Sequence, residues 1–370
     1  MIQWLNDPAM KYVDEFRDMK LIMHLVDQIR RSTAGDYTFM EVCGGHTAAI
    51  HRFGIPSLLP PGIRLISGPG CPVCVTAAAY IDQLISLSFQ KGVTVATFGD
   101  LMRVPGSAGS LSEARAEGAD IRVVLSAYEA LGIALSDKNL KVVFPAIGFE
   151  TTAPGTAVTV LKADGEGADN FFILNAHKVM PPAMEEIIKG GSKIDGFICP
   201  GHVSVITGSS AFEFIPRKYG LASVITGFEP TDILSAILML IRQVNDHHPG
   251  VEIQYNRAVT RTGNTKAQKY MNEVFESCDA AWRGLGIITS GGLKLREKYK
   301  SFNAGFSFDI EVTHNEPDTM CICGDILRGI STPSECTLFA SVCTPDHPSG
   351  ACMVSAEGAC NTYFKYHLHE

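Results

Sequence analysis

Short apolar segments alternate with segments of helical periodicity along most of this chain. The apolar segments are bounded by glycine, proline or polar residues, which is typical of strands buried on both faces. They fall at 38–42, 63–66, 93–98, 121–125, 142–147, 171–174, 196–198 and 222–226. Because strand–helix–strand units join parallel strands through right-handed crossovers, the pattern predicts an α/β protein built on parallel sheets.

The alternation is interrupted twice, and the interruptions indicate domain boundaries. It restarts near Lys141 and is lost after about Leu293, where cysteines become frequent. We therefore predict two doubly wound α/β domains, residues 1–138 and 139–292, facing a common cleft, and a small cysteine-rich domain at 293–370. Less regular patterns predict helices at 8–31, 75–89 and 270–275, and a strand at 284–288 that could join either sheet.

Charge and motif content exclude several classes of function. The net charge is −8 and no basic stripe is present, which argues against nucleic-acid binding. The most apolar run, 233–241, is too short to span a membrane, and the charged segment 1–31 lacks a signal-peptide core, so we expect a cytoplasmic protein. The phosphate-binding Walker A loop, the dinucleotide-binding glycine motif and the Gly-x-Ser-x-Gly elbow of hydrolases are all missing.

The chain has 11 cysteines, which is many for a reducing compartment. Their number is odd and their distribution is uneven, with six of them between Cys321 and Cys360. In the cytoplasm this pattern favours metal binding or catalysis over structural disulfides.

Polar and reactive side chains follow most of the predicted strands. In open α/β sheets, ligands bind beyond the carboxyl ends of the strands. Each residue alone has a structural explanation, such as capping a helix, but their concentration predicts a shared site. These residues are Cys43, His46, Cys71, Cys74, Asp100, Arg103, Glu150, Thr151, Thr152, His177, His202 and Glu229.

Cys71 and Cys74 form a Cys-Pro-Val-Cys motif between a predicted strand and the predicted helix 75–89. Pro72 would occupy the first turn of that helix, where proline is tolerated. At a helix N-terminus the dipole and free N–H groups lower a thiol pKa, so we expect a reactive dithiol. The alternative is a buried or zinc-binding pair, although no second Cys-x-x-Cys motif completes a zinc site.

Two further groups of residues could bind metal. Cys43 and His46 are separated by two glycines and could bind a soft metal such as Fe(II), or act as a cysteine–histidine nucleophile pair. The carboxyl-terminal cysteines lack the spacing of zinc ribbons and fingers, so an iron–sulfur cluster is favoured, with zinc as the alternative. They are Cys321, Cys323, Cys336, Cys343, Cys352 and Cys360.

Several long motifs resemble the HypD family of NiFe-hydrogenase maturation proteins. The resemblance extends from about Tyr12 to Tyr366. Its motifs are MEVCGGHT at 40–47, GPGCPVC at 68–74, GFETT at 148–152, PGHVS at 200–204 and MVSAEGAC at 353–360.

The resemblance implies an assembly scaffold rather than a conventional turnover enzyme. Such a protein would hold the iron of the Fe(CN)2CO centre together with a small HypC-type partner, and a HypE-type protein would deliver cyanide. Cys43 would bind this iron with His46 beside it, and Cys71 and Cys74 would be redox-active. The family pattern selects Cys323, Cys336, Cys343 and Cys360 as ligands of a 4Fe–4S cluster, leaving Cys321 and Cys352 outside it. The cluster and the cysteine pair would supply electrons for attaching the cyanide and CO ligands.

Two other classes of function remain open. A stand-alone thiol–disulfide oxidoreductase would use Cys71 and Cys74, with the cluster as electron donor. A structural adaptor would have a tail stabilised by zinc.

Overall fold

A computed structural model describes residues 14–107, 109–310 and 320–367, and its strands form two parallel sheets and a separate hairpin. The strands are β1 Tyr37–Glu41, β2 Ile63–Ser67, β3 Val93–Thr97, β4 Ile121–Val123, β5 Lys141–Ala146, β6 Phe171–Asn175, β7 Gly196–Cys199, β8 Ala222–Ile225, β9 Val251–Ile253, β10 Phe275–Trp282 and β11 Gly286–Leu295. The helices are α1 Met19–Ser32, α2 Gly44–Arg52, α3 Ile55–Leu58, α4 Ala78–Ser88, α5 Leu111–Ala116, α6 Ala127–Ser136, α7 Ala153–Gly165, α8 Met180–Lys189, α9 Gly201–Thr207, α10 Phe214–Tyr219, α11 Pro230–Asn245, α12 Thr265–Val274, α13 Ala304–Ser307, α14 Cys323–Leu327 and α15 Ala359–His367.

Both sheets contain only parallel pairs, which confirms the predicted α/β class. The first sheet has the order β2-β1-β7-β8-β9, and the second has the order β4-β3-β5-β6. The first eight predicted strands all form, with bounds that differ from the prediction by one or two residues. Helices in the connections cover the sheet faces, as parallel sheets require.

The chain does not fill its sheets in sequence order. It leaves the first sheet after β2, builds the second sheet from β3 to β6, and returns to the first sheet with β7. The expectation that β1 to β4 would share a sheet within residues 1–138 is therefore corrected. Apolar periodicity identifies a buried strand but not its neighbour, which is chosen by packing over long sequence distances. The domain boundaries at 138 and 292 stay a prediction.

The strand expected at 284–288 joins neither parallel sheet. It belongs to β11, which pairs antiparallel with β10 and has an irregularity between Cys278 and Ala280. Strands β9 and β10 were not predicted, because β9 is very short and β10 mixes polar and small residues without a clear period. The helix expected at 270–275 lies within α12, except for its last residue, which begins β10.

Helices α1 and α11 pack together over the first sheet. The apolar face of α1 contributes Ile22, Leu25 and Ile29 to the same core cluster as Phe39 of β1 and Ile237 of α11. Burying one such side chain stabilises the fold by roughly 1.5–3 kcal/mol. The helix begins at Met19 after the N-cap Asp18, and residues 8–13 of the helix predicted at 8–31 lie outside the described residues.

The cysteine-rich tail packs against the first sheet. Five of its cysteines belong to a core cluster that also contains Met40 of β1, Phe197 of β7, and both Cys71 and Cys74. Helix α15 contacts α2, with the rings of His51 and Tyr363 packed edge to face at 4.8 Å. The tail therefore lies over the carboxyl end of the first sheet, where the predicted site residues are.

No helix within the described ranges is both long and apolar enough to cross a membrane.

Candidate functional site

The predicted site residues do follow the carboxyl ends of the parallel strands. In the first sheet Cys43 follows β1, the Cys71–Cys74 segment follows β2, His202 follows β7, and Glu229 follows β8. In the second sheet the segment Glu150–Thr152 follows β5. Strand topology thus collects residues that are far apart in sequence at the sheet edges where α/β proteins bind their ligands.

Cys43 is the N-cap residue of α2 and is partly exposed. The loop after β2 fixes it, because the amide of Gly44 donates to the carbonyl oxygen of Gly70 at 3.0 Å. Loss of solvation, followed by the nearby Glu357 carboxylate, raises the pKa of Cys43 to about 12. Iron binding would have to displace the thiol proton, so iron affinity at this site is expected to rise with pH.

His46 lies on α2, one turn after Cys43, and is fully buried. Its Nε2 lies 3.2 Å from the carbonyl oxygen of Thr226 and 3.0 Å from that of Gly227. Because carbonyl oxygens only accept, Nε2 carries the proton and Nδ1 keeps its lone pair. Nδ1 is buried and has no hydrogen-bond partner among the described residues. Burial lowers the pKa of His46 to about 4, so the ring is a neutral base at pH 7.

Phe228 connects the two histidines of the site. Its ring stacks on that of His46 at 4.5 Å and on that of His202 at 4.1 Å. The loop that presents Phe228 is held by Asp232, which accepts from the amide of Glu229 at 3.3 Å and pairs with Arg257 at 2.8 Å. This network fixes the carbonyl groups that set the tautomer of His46.

Glu229, predicted as a site residue, forms an ion pair. Its Oε1 accepts from Nη2 of Arg17 at 2.9 Å, which ties the segment before α1 to the loop after β8. Its catalytic role stays a prediction.

Thr151 and Thr152 are exposed at the start of α7, and Thr152 is the N-cap residue. Thr152 lines a mainly apolar cavity of about 380 Å³, together with Asp100 and with Val73 of the Cys-Pro-Val-Cys motif. This cavity joins the carboxyl edge of the second sheet to the loop after β2. His177, in contrast, is buried and bonded through Nδ1 to Asn175 at 2.6 Å.

The expectation that Cys71 and Cys74 lie at a helix start is wrong. They occupy a turn, with a bond of 3.3 Å from the amide of Val75 to the carbonyl oxygen of Cys71, and α4 begins only at Ala78. Both thiols are buried, and burial raises the pKa of Cys74 well above its usual value instead of lowering it. The pKa is raised because the tail covers this turn and shields it from water.

Five of the tail cysteines converge on one small, apolar cavity. Its sulfur-bearing lining residues are Cys321, Cys336, Cys343, Cys352 and Cys360. Burial raises the pKa of the Cys360 thiol, and four neighbouring cysteines add to the effect. Within the described part of the chain, no three His, Cys, Asp or Glu residues are arranged to hold a single metal ion.

Cys323 does not line this cavity but contacts two cysteines that do, Cys321 and Cys352. Its Sγ lies 2.9 Å from Sγ of Cys352, and both thiols are free. Cys352 is in turn in hydrogen-bond contact with Cys74, whose Sγ also approaches the carbonyl oxygen of Ala351 at 3.7 Å. A line of sulfur atoms therefore runs from Cys323 through Cys352 to the Cys71–Cys74 turn.

Glu150 is a buried carboxyl group beside this region. Its Oε1 accepts from the amide of Met180 at 3.0 Å, and its Oε2 has no partner among the described residues. Burial raises the pKa of Glu150 to about 7. The folded protein therefore binds a proton here that the unfolded chain releases above pH 4.5, and the resulting stability is lost as the pH rises from 4.5 through 7.

We expect Glu150→Gln to weaken this pH dependence. The amide keeps the shape of the protonated carboxyl and cannot ionise, so the variant should gain stability relative to the parent protein by about 1 kcal/mol or more between pH 5 and pH 8. Thermal unfolding at both pH values measures the difference, with Glu117→Gln as the control at an exposed carboxyl. The same difference in stability at both pH values would contradict the prediction.

Sequence reasoning missed two residues that shape the site. Glu357 packs on the first residue of α2, where a Cβ on Gly44 would lie 2.5 Å from that of Glu357. Glu41 is buried at the end of β1, where its Oε2 accepts from the amide of Cys43 at 3.2 Å. A carboxylate within the apolar run of β1 was the available signal for Glu41, whereas the role of Glu357 depends on tertiary contact.

Known proteins resemble this chain over nearly its whole length. A family model named HypD, described as the hydrogenase formation hypA family, matches residues 20–367. The hydrogenase maturation factor HypD of Rhizobium leguminosarum is 47% identical over 368 residues, covering 96% of both chains. The factor of the same name from Cupriavidus necator is 46% identical, covering 96% of this chain and 97% of the relative. That of Escherichia coli is 40% identical, covering 98% and 99%.

Proposed function

Because the chain belongs to the HypD family of hydrogenase maturation factors, we propose that it holds the iron of the Fe(CN)2CO centre on Cys43 while the ligands are attached. The observation that carries this proposal is the setting of Cys43. It is a partly exposed thiol at the carboxyl edge of the first sheet. Gly70, which precedes the buried Cys71–Cys74 turn, packs on its backbone, and Glu357 of the tail packs on the next residue, Gly44. Soft thiolate suits low-spin Fe(II).

A single protein thiol makes an open site. The next residues after Cys43 are glycines, and a Cβ on Gly45 would lie 3.1 Å from the Phe228 ring and 3.7 Å from Sγ of Cys43. Diatomic ligands and a second thiolate from a HypC-type partner would reach the sulfur from its exposed side. A HypE-type cyanide donor would approach the same edge, and His46 would accept or return a proton there as a neutral base.

The all-sulfur donor set of the tail cavity suits a 4Fe–4S cluster, although the cavity measures only about 10 Å³ and its loops would have to separate to admit one. Three buried thiols and the partly exposed Cys321 would be stabilised as thiolates by the cluster, which would supply single electrons when bound. The geometry favours Cys321, Cys336, Cys343 and Cys360 as the ligands. This set departs in one position from the set with Cys323 that the family pattern suggested, because Cys321 lines the cavity whereas Cys323 only contacts it through Cys321 and Cys352. Cys352 is left out because it also contacts Cys74.

The two remaining cysteine pairs can exchange electrons through direct sulfur contact. The Cys352 thiolate attacks Cys74 of a Cys71–Cys74 disulfide and releases the Cys71 thiolate. The Cys323 thiolate then attacks Cys352 and releases Cys74, so two electrons pass from one pair to the other. The reduced Cys71–Cys74 pair would then follow directly after Gly70, which packs on the backbone of Cys43, where ligand attachment requires electrons.

Burial argues against a stand-alone oxidoreductase. Cys71 and Cys74 are only 3% and 0% exposed, so a macromolecular disulfide cannot reach them. A thiol that exchanges only with another cysteine of the same chain does not need to be reached by a second protein.

Iron content tests the proposal. The chain, purified anaerobically from cells that also make the partner proteins, should contain iron in excess of its labile sulfide. Cys43→Ala should remove this excess, about one iron per chain, and leave sulfide unchanged. Cys278→Ala, at a partly exposed cysteine of the hairpin, is the matched control. If the variant at Cys43 keeps the excess iron, the anchor is elsewhere.

A further inference from the structure

A second cavity opens beside the tail cysteines. It has a volume of about 160 Å³ and lies between the turn of the hairpin, the loop after β3 and the tail. We call it the Arg283 cavity. Its lining residues are Pro105, Gly106, Arg283, Gly284, Cys321, Cys323, Gly324, Ser349, Gly350 and Ala351.

The walls of the Arg283 cavity leave its sulfur atoms uncovered. Four of its ten lining residues are glycines. A Cβ on Gly350 would lie 2.7 Å from Sγ of Cys321, and one on Gly284 would lie 2.6 Å from the Cα of Gly324. The glycines therefore permit close backbone packing while leaving a small molecule room to reach Cys323.

Arg283 gives this cavity its charge. The backbone amide of Arg283 donates to the carbonyl oxygen of Val75 at 2.8 Å, and its Nη2 donates to that of Pro105 at 3.0 Å. Among the described residues the guanidinium makes no other hydrogen bond, and none of the lining residues is a carboxylate. An anionic group would be favoured here, and a carboxylate can accept two parallel hydrogen bonds from a guanidinium.

The two sulfur atoms of the Cys323–Cys352 pair differ in access. Cys323 lines the Arg283 cavity, whereas Cys352 does not line it and is in contact with Cys74. A nucleophile entering from the cavity would therefore meet Cys323 first. The sulfur it displaces would be Cys352, on the inner side.

We propose that the Arg283 cavity admits a small thiol that carries a carboxylate and that reduces a Cys323–Cys352 disulfide. This inference rests on the electron exchange proposed above, for which it supplies an entry point. The thiolate attacks Sγ of Cys323, forms a mixed disulfide with it and releases the Cys352 thiolate. A second thiolate attacks the sulfur of the bound reductant, which leaves as a symmetrical disulfide and frees Cys323. Two small thiols are oxidised and one protein disulfide is reduced.

Reductants of different charge test the inference. The full-length protein is oxidised with diamide under anaerobic conditions and then reduced with mercaptoacetate, β-mercaptoethanol or cysteamine. Each rate is divided by the thiolate concentration, because the three thiols differ in pKa. In the parent protein mercaptoacetate should react fastest. In Arg283→Gln the rate of reduction by mercaptoacetate should fall roughly fivefold relative to the rate with β-mercaptoethanol. The rate with cysteamine should rise relative to that same reference.

Arg296→Gln is the matched control, since Nε of Arg296 also donates to a backbone carbonyl oxygen, that of Asn272, at 2.8 Å, but Arg296 does not line the cavity. This variant should keep the parent order of rates. After an acid quench, peptide mass mapping should locate the mercaptoacetate adduct on Cys323.

The experiment distinguishes a failure of the cysteine exchange from a failure of the entry route alone. If the thiol count shows no disulfide between Cys323 and Cys352 after oxidation, both the exchange and this inference are overturned. If the disulfide forms but its reduction is insensitive to the charge at Arg283, or if the adduct lies on Cys352, only the entry through this cavity is wrong.

Discussion

Replacing Cys336 with alanine is expected to remove most of the iron and acid-labile sulfide from the purified protein. Cys336 is one of the buried thiols that line the tail cavity, and its loss leaves only three of the four ligands we assign. Cluster binding also contributes to folding in a tail with little regular structure, so the variant should unfold at lower temperature. Iron, sulfide and visible absorption measure the effect. Cys278→Ala, outside the cavity, should leave all three unchanged.

A second pair of variants separates the two ligand sets. Cys321→Ala should lose the cluster, whereas Cys323→Ala should keep it and lose the exchange with Cys352. The reverse result would favour the set suggested by family resemblance. Full cluster content in Cys336→Ala would refute both sets.

Gly70→Ala is expected to abolish iron capture at Cys43. A Cβ at this position would lie 2.4 Å from the backbone nitrogen of Cys43 and 2.5 Å from its Cα, and these atoms cannot move without displacing the junction of β1 and α2. Such a clash costs about 1–3 kcal/mol and shifts the thiol away from its neighbours. The measurements are thermal unfolding and iron in excess of sulfide.

Gly132→Ala provides the control for this substitution. Gly132 lies exposed within α6, and a Cβ there would have no neighbouring atom within 4 Å. This variant should be more stable than the parent by about 0.5–1 kcal/mol, because alanine favours a helix interior. Equal iron retention in both variants would show that the close approach of Gly70 does not position Cys43.

The sequence was sufficient to predict the strands and the edge at which the site lies. The first eight strands are short apolar segments, and all but β2 and β4 are buried along most of their length. Such segments have a strong local signal. Which strands become neighbours was not predictable, because β1 chooses β7 through contacts between residues more than 150 positions apart, such as Met40 and Phe197.

The local sequence pattern also predicted the wrong structure at a segment that the tail covers. Residues 71–77 have the composition of a helix start, but the tail packs over them, and they form a buried turn with a thiol of raised pKa. The contact between Cys323 and Cys352 has the same origin. Spacing along the chain shows how many thiols are available, whereas only the packing of the tail decides which pairs meet.

The position of Glu150 illustrates the opposite case. Its place after β5 was evident from sequence, but its pKa of about 7, and an oxygen with no partner among the described residues, depend on the surrounding apolar core. The protonation state of side chains at the carboxyl edges of the sheets therefore depends more on burial than on the local sequence motif.

The infrared spectrum of the complex isolated with its partner proteins tests the central claim most directly. Metal-bound cyanide and CO absorb in a spectral window where protein groups do not. The parent protein should show these bands. Cys43→Ala should lose them while retaining its fold, its cluster and weak partner binding, and Cys278→Ala should keep them. Bands of parental intensity in the Cys43→Ala complex would contradict the assignment of Cys43 as the iron anchor.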